Sequence, residues 1–257
     1  MESGQKAAAE RVESGLLLAI DACGPTGSVA LGRIIGRSVE ILGEIELEGR
    51  SYSSTLVSAV GDLLKGAGVG LKDLGAIVAV NGPGSFTGVR IGLSAIKGLA
   101  EVSRISVAVV SRLEVLAAKA GVDAAALDAH RGEVFLRIAS RARGQRDVEH
   151  RTDGSIEMLA GAAELKAIDP APAQVAVCDD AGAALLAAAW PSSELLRPAP
   201  PTAADALRLV SARVSDGALG DFALADLVLP DLALLDGNYL RRSDAEIFGE
   251  ATEARRG

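Results

Sequence analysis

Apolar residues fall into short unbroken runs and into helical stripes, and the switches between the two divide the chain into elements. Leu16 to Asp21 is an apolar run closed by a carboxylate, the pattern of a strand buried on both faces. A Cys-Gly-Pro-Thr-Gly turn follows, and Ser28 to Ile35 and Val39 to Leu47 read as two further strands. From Ser53 or Ser54 the period lengthens to that of a helix over 54–65. Leu56, Val57, Val60, Leu63 and Leu64 lie on its apolar face, and Gly66 and Gly68 end it. Gly75 to Val80 predicts a strand, and a helical pattern covers residues 86–100. Ser106 to Val110 is another strand, after which Ser111 caps a helix reaching about Ala120.

A second start follows. Ala126-Leu127-Asp128-Ala129-His130-Arg131-Gly132-Glu133-Val134-Phe135-Leu136 echoes Ala19-Ile20-Asp21-Ala22 through Gly27-Ser28-Val29-Ala30-Leu31. Each is a strand ended by aspartate, a glycine turn and a returning strand, so two related lobes are expected, with a boundary near Gly121. The expected division is a disordered tail over 1–14, lobes over 15–121 and 122–245, and a flexible tail over 246–257. The second lobe is less regular, with a strand at Gln174 to Cys178, a helix at Asp180 to Ala189, a loop from Pro191 to Pro201 and a capped helix from Thr202 to Val214. Alternating strands and helices place the chain in the α/β class.

The segment Asn81-Gly82-Pro83-Gly84-Ser85-Phe86-Thr87-Gly88-Val89-Arg90-Ile91-Gly92 joins a buried strand to a helix. A glycine-rich turn at a helix N-terminus suggests phosphate. No Gly-Lys-Ser/Thr closes it, however, and Gly84-Ser85-Phe86 lacks the second glycine of a nucleophile elbow. Gly88, Gly92, Ala95 and Leu99 share one side of the helix, and each interior glycine costs roughly 1 kcal/mol against alanine. The offsetting gain is another backbone packed very close, either within one domain or on a partner protein. Periodicity does not separate these two readings.

Composition narrows the function. Aromatics make up 3% of the chain, which argues against a base-stacking platform, and the net charge of −8 argues against a broad phosphate-binding surface. Two distant cysteines, Cys23 and Cys178, have no metal-type spacing and suggest a reducing, cytoplasmic compartment. No apolar run approaches the roughly 20 residues that span a bilayer. His130 and His150, the chain's two histidines, are too far apart in sequence to form an i, i+4 metal pair.

The Asn81 to Gly98 stretch resembles the Gly-Pro-Gly-Ser-Phe-Thr-Gly-x-Arg-Ile-Gly signature of the TsaB (YeaZ) family. Four further segments agree: Ala19-Ile20-Asp21 with Ser28-Val29-Ala30-Leu31, Ser111-Arg112-Leu113-Glu114, Ala126-Leu127-Asp128-Ala129 with Arg131-Gly132-Glu133-Val134, and Tyr239-Leu240-Arg241. The resemblance implies a duplicated ribonuclease-H-like fold of the actin and hexokinase (ASKHA) type with two lobes. It also implies a non-catalytic partner of the paralogue TsaD, which transfers a threonylcarbamoyl group to N6 of adenosine 37 in tRNAs reading codons that begin with A. TsaD carries an Asn-His-x-Glu-Gly-His metal motif. The matching stretch here is Ser111-Arg112-Leu113-Glu114-Val115-Leu116, with Arg112 and Leu116 at the histidine positions. Arginine and leucine hold no metal, so none is expected.

Leu56, Val57, Val60, Leu64, Gly88, Val89, Gly92, Ala95 and Ile96 are the expected partner interface, formed by the two adjacent helices. It would serve TsaD, with TsaE joining a larger complex, or a homodimer when the chain is alone. Contact with tRNA is expected to be indirect or weak. ATP-using members of this fold hold magnesium on such strand-end aspartates, so Asp21, Thr26, Gly27, Gly84 and Ser85 are candidates for weak ATP, ADP or anion contact. The alternative for each aspartate is a side chain capping its own turn, favoured at Asp128. Val177-Cys178-Asp179-Asp180-Ala181-Gly182 has two acids and one glycine, a poor phosphate neighbourhood. Glu44, Glu46 and Glu48 read as a solvated face, and Arg90 and Lys97 as solvated charges able to meet an acidic partner. Tyr239, Arg241 and Arg242 are expected to pack the tail onto a lobe, with RNA contact as the second reading. Rival functions are an ATP-dependent kinase of the same fold and a metallopeptidase, the latter opposed by the lack of His-Glu-x-x-His.

Overall fold

The computed structural model describes residues 15–36, 38–49, 51–139, 154–216 and 231–240. The expectations for His150, Arg241, Arg242 and the two tails lie outside them. Two five-stranded sheets carry the chain. The first uses β1 (Leu16–Asp21), β2 (Thr26–Ile35), β3 (Ser38–Glu48), β4 (Ala76–Val80) and β5 (Ser106–Val110), in the order β3-β2-β1-β4-β5. The second uses β6 (Ala124–Asp128), β7 (Val134–Ile138), β8 (Ile156–Ala160), β9 (Gln174–Val177) and β10 (Glu194–Leu196), in the order β10-β9-β6-β7-β8. Read from the opposite edge, this is the same topology: three antiparallel strands, then two parallel ones added beside the first. The duplicated ribonuclease-H-like arrangement expected from the sequence is the one the chain adopts.

The equivalence extends to the turns. Asp21 ends β1 and its Oδ1 accepts the Cys23 amide at 2.8 Å, while Asp128 ends β6 and its Oδ1 accepts the His130 amide at 2.8 Å. Both carboxylates therefore cap the turn that follows them. The second turn is tight enough to hold His130 and Arg131 at φ 61° and 59°, a left-handed conformation uncommon for residues other than glycine.

Six described helices complete the lobes. α1 (Tyr52–Gly66) and α2 (Phe86–Ser103) cover one face of the first sheet. α4 (Ala162–Ala167) and α5 (Asp180–Ala189) cover the outer face of the second. The remaining two are exchanged. α3 (Arg112–Ala120) follows the last strand of the first sheet, yet Leu113, Leu116 and Ala117 pack with Ala125, Leu127, Phe135 and Ala176 of the second. α6 (Ala203–Asp216) follows the second sheet, yet Ala203, Ala204, Ala206, Leu207 and Val210 join the core of the first. The chain is thus a stack of five layers, with α3 and α6 between the sheets. Central strands β1 and β4 are buried at every position because helices lie on both of their faces.

Several differences from the sequence reading have local causes. The α1 helix begins before Ser53, because Tyr52 is an anchor whose hydroxyl donates to the Gly24 carbonyl at 2.9 Å. Strand β8 and helix α4 were not foreseen, and β10 lies inside the expected Pro191 to Pro201 loop; all three are short and carry weak periodicity. Glu44 does more than face solvent. Its Oε1 accepts the Ala204 amide at 3.0 Å, and Ser28 Oγ accepts the Ala203 amide at 2.8 Å, so carboxylate and hydroxyl satisfy the first turn of α6.

Candidate functional site

The signature turn between β4 and α2 folds inward. Ser85 caps α2 by accepting the Gly88 amide at 3.3 Å, as the sequence suggests. A Cβ on Gly84 would stand 2.1 Å from the Cys23 carbonyl oxygen, one on Gly88 2.1 Å from that of Ala22, and one on Gly92 3.1 Å from Ala22 Cβ. The glycines therefore let α2 lie against the β1–β2 turn of the same chain. This is the packing reading of the glycine helix, and it removes Gly88 and Gly92 from any outer surface.

The same holds for most of the expected interface. Val60, Leu64, Val89 and Ile96 are buried in the core beneath α1 and α2, which leaves Val57 (60% exposed), the half-buried Ala95 and the floor position Leu56 to face outward. The correction is physical: the amphipathic stripe of each helix faces its own sheet. Between the outward edges of the helices runs a groove of about 320 Å³ lined mainly by apolar surface. Leu56 and Val57 of α1 and Arg90, Ile91, Ser94 and Ala95 of α2 contribute to it. Arg90 is held there by stacking, its guanidinium carbon 3.7 Å from the Phe86 ring centre; that ring meets Tyr239 at 5.0 Å. The C-terminal segment is fixed in turn by Asn81 and Asn238. Asn81 Nδ2 donates to the Asp236 carbonyl, the Asn238 amide to the Asn81 carbonyl, and Asn238 Nδ2 to Glu157 of β8. Lys97 is half-buried on α2 and does not line the groove.

At the inner end of the lobes Asp21, the charged member of the candidate anion residues, is already engaged. Asp21 is 1% exposed, and its Oδ2 accepts from Arg112 Nε at 3.2 Å. Arg112 is itself buried, and its head is pressed on the turn, since a Cβ at Gly24 would lie 2.3 Å from Arg112 Nη2. Burial is the largest single influence and lowers the guanidinium pKa, but the Asp21 carboxylate together with Cys23 and Cys178 reverses it, so the net shift is upward. Gly27 abuts the Asp21 carbonyl and the Tyr52 hydroxyl, and Thr26 is exposed at the start of β2. Of the five candidates, Asp21 and Gly27 are thus enclosed by Arg112 and Tyr52, whereas Thr26 and Ser85 are exposed. The pairing of Asp21 with Arg112 across some ninety residues escaped sequence reasoning; the available signal was a charged residue at the first position of a helix, two places after an apolar strand. In the second lobe, Asp179 is spent on structure, with Oδ1 accepting the Gly182 amide at 2.6 Å and Oδ2 the Asp128 amide at 2.9 Å.

Burial raises the Cys23 thiol well above its usual range, with the Asp21 charge adding to it. Tyr52 is likewise pushed from 10.0 to about 12, first by burial and then by Asp21. Its folded pKa lies above its unfolded one, so the neutral phenol's contribution is complete below pH 10 and lost as pH rises through 12. Denaturant melts should show wild-type stability falling over that window. Tyr52→Phe should start about 1 kcal/mol lower and flatten that alkaline limb.

The family model described as TsaD: tRNA N6-adenosine threonylcarbamoyltransferase matches residues 43–179, just over half of the chain. The tRNA threonylcarbamoyladenosine biosynthesis protein TsaB of Bacillus subtilis is 37% identical over 124 residues, covering 46% of this chain and 52% of that protein. TsaB of Escherichia coli is 36% identical over 125 residues, with the same coverage of 46% and 52%. A Pseudomonas aeruginosa protein described as similar to peptidase YeaZ has a crystal structure that superposes with TM-score 0.65 at 26% identity, covering 88% of this chain and 100% of that one. The chain belongs to the TsaB/YeaZ family. It spans about half the length of the curated TsaB relatives it matches. The TsaD-type match ends at Asp179, so it takes in the glycine turn, α2, and the Arg112 and Leu116 positions. Leu116 is fully buried in the α3 core, and Arg112 is paired with Asp21. Among the described residues no group of three or more His, Cys, Asp or Glu is gathered as a metal site, and no helix is long and apolar enough to cross a membrane.

Proposed function

We propose that the chain is a non-catalytic, cytoplasmic scaffold for threonylcarbamoyladenosine formation on tRNA. In this reading it docks a TsaD-type subunit and supports that subunit's transfer of the threonylcarbamoyl group to N6 of adenosine 37. The observation that carries the reading is the apolar groove between α1 and α2, with Val57 exposed and Arg90 of its lining held by Phe86. An exposed apolar groove rimmed by a positioned cation suits a protein partner that brings apolar side chains and a carboxylate. The interlobe junction supports the same reading from the other side, since an arginine and a leucine stand at the positions of the TsaD histidines. TsaE belongs to a larger complex in this reading, a homodimer uses the same groove when the partner is missing, and tRNA contact by this chain is indirect or weak.

In this reading the partner surface consists of residues that reach solvent. Val57→Asp should weaken co-purification with the TsaD-type subunit by a hundredfold or more, since burying an unpaired carboxylate costs about 3 kcal/mol. Far-ultraviolet circular dichroism and the melting temperature should stay as in the wild type, because Val57 packs little. Reconstituted tRNA modification should fall in parallel. Undiminished association with Val57→Asp would show that the groove is not the docking site; modification without this chain would remove the scaffold role.

A further inference from the structure

The Asp21 and Arg112 pair joins elements that belong to different lobes. Asp21 ends β1 in the first sheet, whereas Arg112 opens α3, whose apolar face packs on the second. The arginine's backbone is fixed as well, since its amide donates to the Gly82 carbonyl at 2.6 Å. A carboxylate with 1% exposure is stable only with a counter-charge. Two kinds of cation satisfy that need: a guanidinium supplied by the chain, or a metal ion brought from solution. Magnesium is the relevant metal, because it is commonly held by one or two carboxylates while phosphate oxygens and water fill its remaining positions. The neighbouring turn suits such a ligand, since glycine admits close approach to the backbone. At Gly24 that approach is taken by the Arg112 head.

We propose that Arg112 is a resident cation that closes this interlobe junction to a magnesium-bound polyphosphate, and that Asp21 becomes the ligand for such a complex when the arginine is removed. Arg112 then has two consequences. It neutralises Asp21 in place of a metal, and its planar head fills the space over Gly24 that a phosphate group needs. The inference concerns the interlobe junction and holds whether or not the groove of α1 and α2 docks a TsaD-type subunit.

The test is calorimetric titration of the full chain with magnesium pyrophosphate. Wild-type protein should show no saturable binding, and Arg112→Ser should bind at least about tenfold more tightly than wild type. Adding Asp21→Asn to Arg112→Ser should abolish the gain, while Arg112→Lys, which keeps the charge, should remain closed. Should Arg112→Ser be unfolded alone, its circular dichroism is followed as magnesium pyrophosphate is added. Recovery of the native spectrum supports the proposal, and failure to recover counts against it. Binding by wild-type protein, a folded Arg112→Ser that binds no better, or a gain that survives Asp21→Asn would each overturn it.

Discussion

Alanine at Gly88 should lower the stability of the chain by about 3 kcal/mol or more, at the upper end of what overpacking costs. The new Cβ would meet the Ala22 carbonyl oxygen at 2.1 Å and the Tyr52 ring at 3.3 Å. A flexible side chain could swing away, but a carbonyl at the end of a central strand cannot move without pulling on β1 or α2. Gly84→Ala should be as severe, since its Cβ would meet the Cys23 carbonyl at the same separation. Gly98→Ala is the control. That residue is exposed with nothing within 4 Å, so alanine should raise stability by roughly 0.5–1 kcal/mol through helix propensity. Urea melts of the three variants would measure the differences. Equal effects at Gly88 and Gly98 would mean that helix propensity alone, and no close approach, governs this helix. A bulky residue at Gly92 is likewise expected to disturb the fold itself, because Ala22 Cβ lies 3.1 Å from where its Cβ would sit.

Much of the fold was legible because strong patterns decide it. The apolar runs at Leu16 to Asp21 and Ser106 to Val110 became strands with those same limits, since each is a continuous apolar stretch bounded by a polar residue and a turn or cap. The echo between the Asp21 and Asp128 turns announced the duplication, and the shared aspartate cap explains why the echo is visible at all. What escaped is long-range. Nothing in the period of α3 or α6 says which sheet each will cover, because an apolar stripe specifies burial and not a partner. The candidate site suffered from the same ambiguity. Leu56, Val60, Leu64, Val89 and Ile96 form convincing stripes, and stripes of that kind belong first to the helix's own sheet. The surface of α1 and α2 is carried by the residues flanking the stripes, such as Val57, Ile91 and Ser94.

Arg112 illustrates a subtler limit. Its place in a motif showed what the residue could not do, which was to ligate a metal. What it does depends on a carboxylate ninety-one positions earlier and on a glycine whose missing side chain leaves room for the guanidinium. A loss of one chemistry and a gain of another thus share a single substitution site, and only the fold connects them.

Removing the carboxylate should expose how strongly that connection holds. Asp21→Ala leaves the Arg112 guanidinium buried with no partner charge and frees the Cys23 amide, so the expected loss of stability is about 3–5 kcal/mol. The loss is a penalty for stranding a charge and does not measure the worth of the pair. Replacing both members by apolar residues of similar volume, Asp21→Leu with Arg112→Met, should therefore recover most of it. Buried ion pairs often exchange for packed side chains at little net cost. The two changes are in direct contact, so their effects should be far from additive, with a coupling of about 2 kcal/mol or more. Urea melts at pH 7 of the single and double variants complete the cycle. A single-variant loss below about 1 kcal/mol would mean that water reaches the arginine, and that the junction is more open than its burial implies.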